Sequence, residues 1–147
     1  MRRFIALDVG EKRTGVALVD DENRVATPLL TIEAKPDSQE FQDTLKDIVS
    51  EWEPVRIIFG LPIDLKGKES IAAKKMRLLA DLIMQEVNKR YSENDEDKIG
   101  FEFVDERLTS AQAEKSLLKA DFGAKSRKGH RDALAAALIA QSWADSL

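Results

Sequence analysis

Cysteine is absent from the sequence and histidine occurs once. The first absence excludes disulfides and thiolate chemistry and suits a reducing, cytoplasmic setting. The two together argue against a zinc site of the usual nitrogen and sulfur ligands. Any resident metal is then expected to be held by oxygen, which favours magnesium or manganese. No apolar run approaches the roughly 20 residues that cross a bilayer, and the opening MRRFIALD is too short and too soon acidic for a signal peptide. The expectation is a protein with no membrane partner. Linkers, repeats and low-complexity stretches are also missing, so residues 1–147 read as a single domain.

What the chain does have is charge, at 34% of residues, with 43% hydrophobic. That mixture suits a folded domain rather than a disordered one. The net charge of -4 speaks against a nucleic-acid partner only if charge is evenly spread, and it is not. Acid gathers in SQEFQDTLKDIVSEWE and SENDEDK. Base gathers at Lys12 and Arg13, at Arg107, and at Lys125, Arg127, Lys128 and Arg131, beside His130. The local field steers a polyanion, so these spots are candidate phosphate contacts.

The spacing of apolar residues predicts strands at about 3–9 and 14–19, joined by the short turn GEKRT as a hairpin. A third strand lies in ENRVATPLLTIE, where Pro28 marks an edge position or a bulge. Phe41, Leu45, Ile48, Val49 and Trp52 recur at helical spacing over 38–53, with Ser38 or Asp37 as cap and Pro54 as stop. A strand comes next at 55–60 and then the loop LPIDLKGKE. A long helix covers about 69–91, with Ala72, Met76, Leu79, Ile83 and Val87 on one face. A strand at 99–104, a helix from Thr109 or Ser110 through Leu118, and a last helix from about 130 to 145 complete the order. Trp52 and Trp143 read as helix-face core residues. A meander followed by alternating helix and strand predicts an α/β fold, ribonuclease H-like, with a mixed five-stranded sheet and helices on both faces.

Three acids stand where these strands or helices end. Asp8 follows Phe4-Ile5-Ala6-Leu7, a strand buried on both faces, where an unpaired carboxylate is costly. Asp105 and Glu106 directly follow the strand ending at Val104. Asp132 opens the last helix, whose Ala133, Ala135, Ala136, Ala137 and Ala140 are small enough to let it lie against the sheet. Converging carboxylates raise one another's pKa unless a cation compensates, and a divalent ion is that cation. Each acid also has a plainer role open to it. Asp8 can accept from the amides of the GEKRT turn, Asp105 or Glu106 can pair with Arg107 or cap the next helix, and Asp132 can complement a helix N-terminus. GLPIDLKG carries glycine at both ends like a phosphate-contacting loop but lacks P-loop spacing. Asp64 within it reads as a solvated turn residue.

The stretches IALDVGEKRTGVAL, IIFGLP with its following KG, VDERLTSAQA and RDALAAALIAQ together resemble the four motifs of the YqgF family, also called RuvX. These are bacterial Holliday-junction resolvases described also as pre-16S rRNA nucleases. The resemblance runs in order from Phe4 to about Trp143. It implies a ribonuclease H-like fold, with Asp8, Glu106 and Asp132 as the catalytic acids that bind metal and Asp105 as the rival to Glu106. It also implies that Lys12, Arg13 and Arg107 touch substrate phosphate. Two departures stand out: IDLKG replaces the usual asparagine- or aspartate-bearing segment, and Ser110 replaces a threonine while keeping its hydroxyl.

The activity implied by the resemblance is metal-assisted hydrolysis of a structured nucleic acid, either pre-rRNA or branched DNA. Two magnesium or manganese ions about 4 Å apart would be bridged by Asp8, leaving 5'-phosphate and 3'-hydroxyl ends. A four-way junction would want a homodimer to place two sites, whereas an rRNA end needs one. Two competing classes predict other behaviour. A phosphotransferase of the actin and sugar-kinase type also begins with an Asp-x-Gly hairpin, but clasps ATP between two such domains. A non-catalytic nucleic-acid-binding module would bind in a salt-dependent way without turnover.

Overall fold

Period-two alternation in the first strand decides which residues face which layer. Ile5 and Leu7 are fully buried on one side of β1 (Arg3–Val9), and Phe4 and Ala6 are buried on the other. A strand apolar on both faces needs cover on both, and the helices divide accordingly. The computed structural model describes residues 1–63, 70–92, 94–106 and 131–147. Within these, β2 (Thr14–Asp20) and β3 (Thr27–Ile32) follow β1, then α1 (Gln39–Trp52), β4 (Arg56–Leu61), α2 (Ile71–Val87), β5 (Gly100–Asp105) and α3 (Arg131–Asp145).

The five strands form one sheet in the order β3-β2-β1-β4-β5. β1 pairs antiparallel with β2 and parallel with β4, and β4 pairs parallel with β5. This is the expected mixed sheet of the ribonuclease H-like kind. α1 and α2 cover one face, packing Phe41, Leu45, Ala73, Ala80 and Ile83 onto Ile5, Leu7, Val16, Ile57 and Phe59. α3 covers the other, laying Ala136, Ala137, Ala140 and Trp143 on Phe4, Ala6, Ala17, Val19 and Ile58. Each fully buried Leu, Ile or Phe contributes on the order of 2 kcal/mol. No helix among the described residues is long and apolar enough to cross a membrane.

Local chemistry sets the ends of these elements. Ser38 caps α1, its Oγ accepting from the Phe41 amide at 3.2 Å. α1 closes on Glu53 in the left-handed conformation, ahead of Pro54. Ser70 caps α2 by accepting from the Ala73 amide at 3.3 Å. α2 stops at Val87, short of the Tyr91 that periodicity predicts. The buried Asn88 explains this, since its side chain accepts from the Ile99 amide at 2.9 Å and donates to the Ile99 carbonyl at 2.8 Å. Those bonds tie the chain to the start of β5 instead of extending the helix. The buried face of α2 also begins at Ala73, Ala72 being exposed.

Pro28 satisfies both expectations for it. It sits in β3, at the edge of the sheet, where the register against β2 shifts between Val16 and Ala17. α3 is locked down by Gln141, whose buried side chain accepts from the Ala26 amide at 2.9 Å and donates to the Arg24 carbonyl at 2.9 Å. Trp143 is core, as expected, packed at a tilt against Phe4 with ring centroids 4.2 Å apart and its Nε1 donating to Glu102 at 2.7 Å.

Candidate active site

The alternation that buries Phe4 and Ala6 beneath α3 puts Asp8 on the same face, at the carboxyl end of β1. In sheets of this kind the carboxyl ends of parallel strands are where ligands bind. β4 runs parallel to β1 and ends beside it, and β5 ends one strand further along, so three strand ends and the start of α3 lie at the same end of the sheet. Asp8 stays half-buried at this corner.

Glu106, immediately after β5, reaches Asp8, and the two carboxyl groups share a hydrogen bond. Both titrate above their ordinary values. For Asp8 the largest cause is burial, opposed by the bond to Glu106 and reinforced by the charge of Asp132. For Glu106 burial again leads, followed by the Asp8 charge, the bond to Asp8 and the charge of Asp105. The bond lowers Asp8 and raises Glu106, and one proton shared between the two carboxyls relieves their repulsion. Two acids this close need either that proton or a cation between them.

Asp132 lies in the first turn of α3, half-buried, close enough for its charge to be felt at Asp8. Its main chain approaches the sheet very closely. Gly15 is the ladder partner of Asp8, and a Cβ at Gly15 would land on the Asp132 carbonyl. The alanines of α3 permit the helix to lie on the sheet, and Gly15 permits its first turn to do so. The three acids are thus brought to one corner, with Asp8 and Glu106 in contact and Asp132 beside them. Among the described residues they do not close into a ready-made cage of three ligands.

Between Asp105 and Glu106 the geometry is clear. Phe103 packs against the α1 and α2 layer and Val104 against α3. Asp105 continues the Phe103 parity, and Glu106 is the one that meets Asp8. Alternation along FEFVDE carries that distinction in the sequence itself. Gly15 had no comparable signal, for a glycine in a strand shows nothing of what lies above it.

Lys12 and Arg13 are exposed on the turn between β1 and β2, at the same end of the sheet as Asp8. The turn is closed by the Gly10 amide donating to the Arg13 carbonyl at 3.0 Å. Asp64, Arg107, Lys125, Arg127, Lys128 and His130 lie outside the described residues, as does the helix expected over 109–118, and Arg131 opens α3.

A family model described as "RuvX: Holliday junction resolvase" matches residues 2–146. A protein of Dictyoglomus turgidum is 35% identical over 145 residues, covering 99% of this chain and 95% of its own length. One from Lactococcus lactis subsp. cremoris is 35% identical over 147 residues, covering 98% and 94%. Both bear the name "Putative pre-16S rRNA nuclease". In three dimensions the chain is similar to RuvC of Thermus thermophilus, solved in complex with a Holliday junction substrate. That match has a TM-score of 0.60 at 10% identity and covers 97% of this chain and 92% of the other. It is also similar to the Fowlpox virus resolvase, solved with Holliday junction DNA, with a TM-score of 0.56 at 9% identity, covering 98% and 97%. At those identities the structural likeness speaks for the fold, and the near full-length family match speaks for kinship: the chain belongs to the RuvX family and is a nuclease, a hydrolase acting on phosphodiester bonds.

Proposed function

We propose that Asp8, Glu106 and Asp132 together hold divalent magnesium or manganese, and that the chain uses them to cleave a structured nucleic acid, the 5' end of pre-16S rRNA foremost. The observation that carries this reading is the carboxyl pair of Asp8 and Glu106, half-buried, both shifted upward, with a third acid adjacent. Such a set is all hard oxygen and short of positive charge, which fits magnesium or manganese and no soft metal. A cation bound there would supply Lewis-acid stabilisation of the scissile phosphate and activation of water.

The chain's own residues do the rest. Asp8, fixed on a central strand, sets where the metal-binding oxygens stand. Glu106, in contact with Asp8, would supply the second metal-binding carboxylate, and a cation there would offset the repulsion that their shared proton otherwise relieves. Asp132, held by a helix locked to the sheet, supplies the third carboxylate. Lys12 and Arg13 bind phosphates flanking the cut and hold the backbone in line, as do Arg107, Lys125, Arg127, Lys128, His130 and Arg131 in this reading. Positioning of this kind and fixed charge at the developing negative oxygens are large parts of phosphodiester catalysis.

The relatives' name favours pre-rRNA, whereas the family description favours a Holliday junction, for which a homodimer would place two sites. Cleavage of a pre-16S 5' end and a four-way DNA junction, side by side with magnesium or manganese, separates them. The proposal expects the RNA to be cut faster. Faster resolution of the junction would transfer it to DNA, and cleavage of neither would overturn it.

The basic turn gives a separate expected outcome. The double variant Lys12→Ala with Arg13→Ala should weaken substrate binding with little change in kcat. The slope of log affinity against log salt should fall by about 0.7 to 0.9 for each phosphate that is no longer neutralised. An unchanged slope would remove these two residues from the substrate path.

A further inference from the structure

Strand order poses a problem that Glu106 has to solve. β4 lies between β1 and β5, so a side chain leaving the end of β5 must pass over β4 to reach Asp8. Neighbouring strands are about 4.8 Å apart, which makes the span close to 10 Å. The β4 residue beneath that path is Gly60. It follows Phe59, the partner of Leu7, and so stands beside Asp8, and it pairs with Val104 on its other flank. A Cβ at Gly60 would lie 2.8 Å from Glu106 Oε1 and 3.1 Å from Glu106 Cγ. It would also lie 2.6 Å from Cδ1 of Ile139, a buried residue of α3. Separations under 3.0 Å essentially never occur for real Cβ atoms.

From this we infer that Gly60 is a positioning residue: its missing side chain is the passage through which Glu106 crosses β4 to meet Asp8. The glutamate and Ile139 share the space that any larger residue at 60 would claim. Ile139 is boxed in by the core, whereas Glu106 is only half-buried. A methyl group at 60 therefore displaces the carboxyl first. A glutamate suits this crossing because it is one methylene longer than an aspartate. The consequence for metal binding rests on the reading of Asp8 and Glu106 given above, but the passage itself does not.

The experiment uses Gly60→Ala, Ile139→Val and their combination in the full chain, with Glu106→Ala and Glu106→Gln as partners. Valine at 139 removes the Cδ1 that the new methyl would strike, which takes the core clash out of the comparison. Gly60→Ala alone is expected to lower Tm by roughly 5 °C, and Ile139→Val should recover most of that loss. Manganese affinity, read from the free-ion electron paramagnetic resonance signal, should stay about tenfold weaker in the double variant, with kcat reduced and KM for nucleic acid unchanged. Recovery of manganese affinity together with Tm would reduce Gly60 to a packing residue and overturn the proposal.

A metal-free double-mutant cycle tests the passage independently. In the Ile139→Val background, Gly60→Ala should cost less in Tm when Glu106 is alanine than when it is glutamate. Equal costs would overturn the passage. If Glu106→Gln leaves manganese affinity untouched while that coupling is present, the passage stands and Glu106 as a metal ligand does not.

Discussion

Asp8→Asn is expected to abolish cleavage, by about 10³-fold or more, while the fold persists. Asparagine keeps the shape, and its side-chain amide can still hydrogen-bond the Glu106 carboxyl. On the proposed reading it loses the charge that would draw a divalent ion into the corner, and such an ion would supply several kcal/mol of transition-state stabilisation. The same substitution should leave the metal-free protein as stable as wild type or more so. Burial holds Asp8 and Glu106 above their ordinary values. Below about pH 3 both groups are protonated in folded and unfolded chains alike, and neither affects stability. As pH rises past that range the unfolded carboxyls ionise first, so the folded state loses ground until its own raised pKa values are passed. Above them the loss is complete.

Asp8→Asn removes one of the two titrations. The metal-free variant should therefore melt above wild type at neutral pH and converge with it in acid. A variant that melts lower than wild type at pH 7 would mean that the Asp8 charge has a stabilising partner in the metal-free protein.

Gly15→Ala should be the most damaging change to both fold and activity outside the three acids. At Gly60 the obstacle is side chain, part of which can move. At Gly15 it is the main-chain carbonyl of Asp132, which moves only with α3. That helix is fixed elsewhere by Gln141 on Arg24 and Ala26 and by Trp143 on Phe4. Its first turn would have to lift while the remainder stays down. The expected cost is on the order of 3 kcal/mol, seen as a Tm about 10 °C lower. Lifting the turn also carries Asp132 away from Asp8, and a displacement near 1 Å at a reacting site is worth about 100-fold in rate. Thermal melting and single-turnover cleavage measure the two effects. A variant that melts normally and cuts normally would show that the helix is not seated on Gly15.

Much of this was legible in the chain because the residues concerned are unusual where they stand. An acid ending a strand buried on both faces attracts notice, and so does a helix whose inner face is mostly alanine. The mixed sheet followed from a hairpin, a proline-marked third strand and alternating helix and strand. The sequence left Asp105 and Glu106 as rivals, and alternation through FEFVDE carried one residue past the strand accounts for Glu106 being the one that meets Asp8. Other features had no such mark. The end of α2 depends on Asn88 finding the backbone of Ile99, eleven residues away, and periodicity is blind to a side chain that competes for the main chain. Gly15 and Gly60 matter for what occupies the space above them, which is set by α3 and by Glu106, remote in sequence. A missing side chain has meaning only once its neighbours are in place.

Manganese binding to the metal-free protein, by titration calorimetry on wild type and on Asp8→Asn, Glu106→Gln and Asp132→Asn, goes to the centre of the matter. Saturable binding by wild type that weakens at least tenfold in each variant is the predicted result. Binding that survives all three substitutions, or no binding by wild type at all, would contradict it.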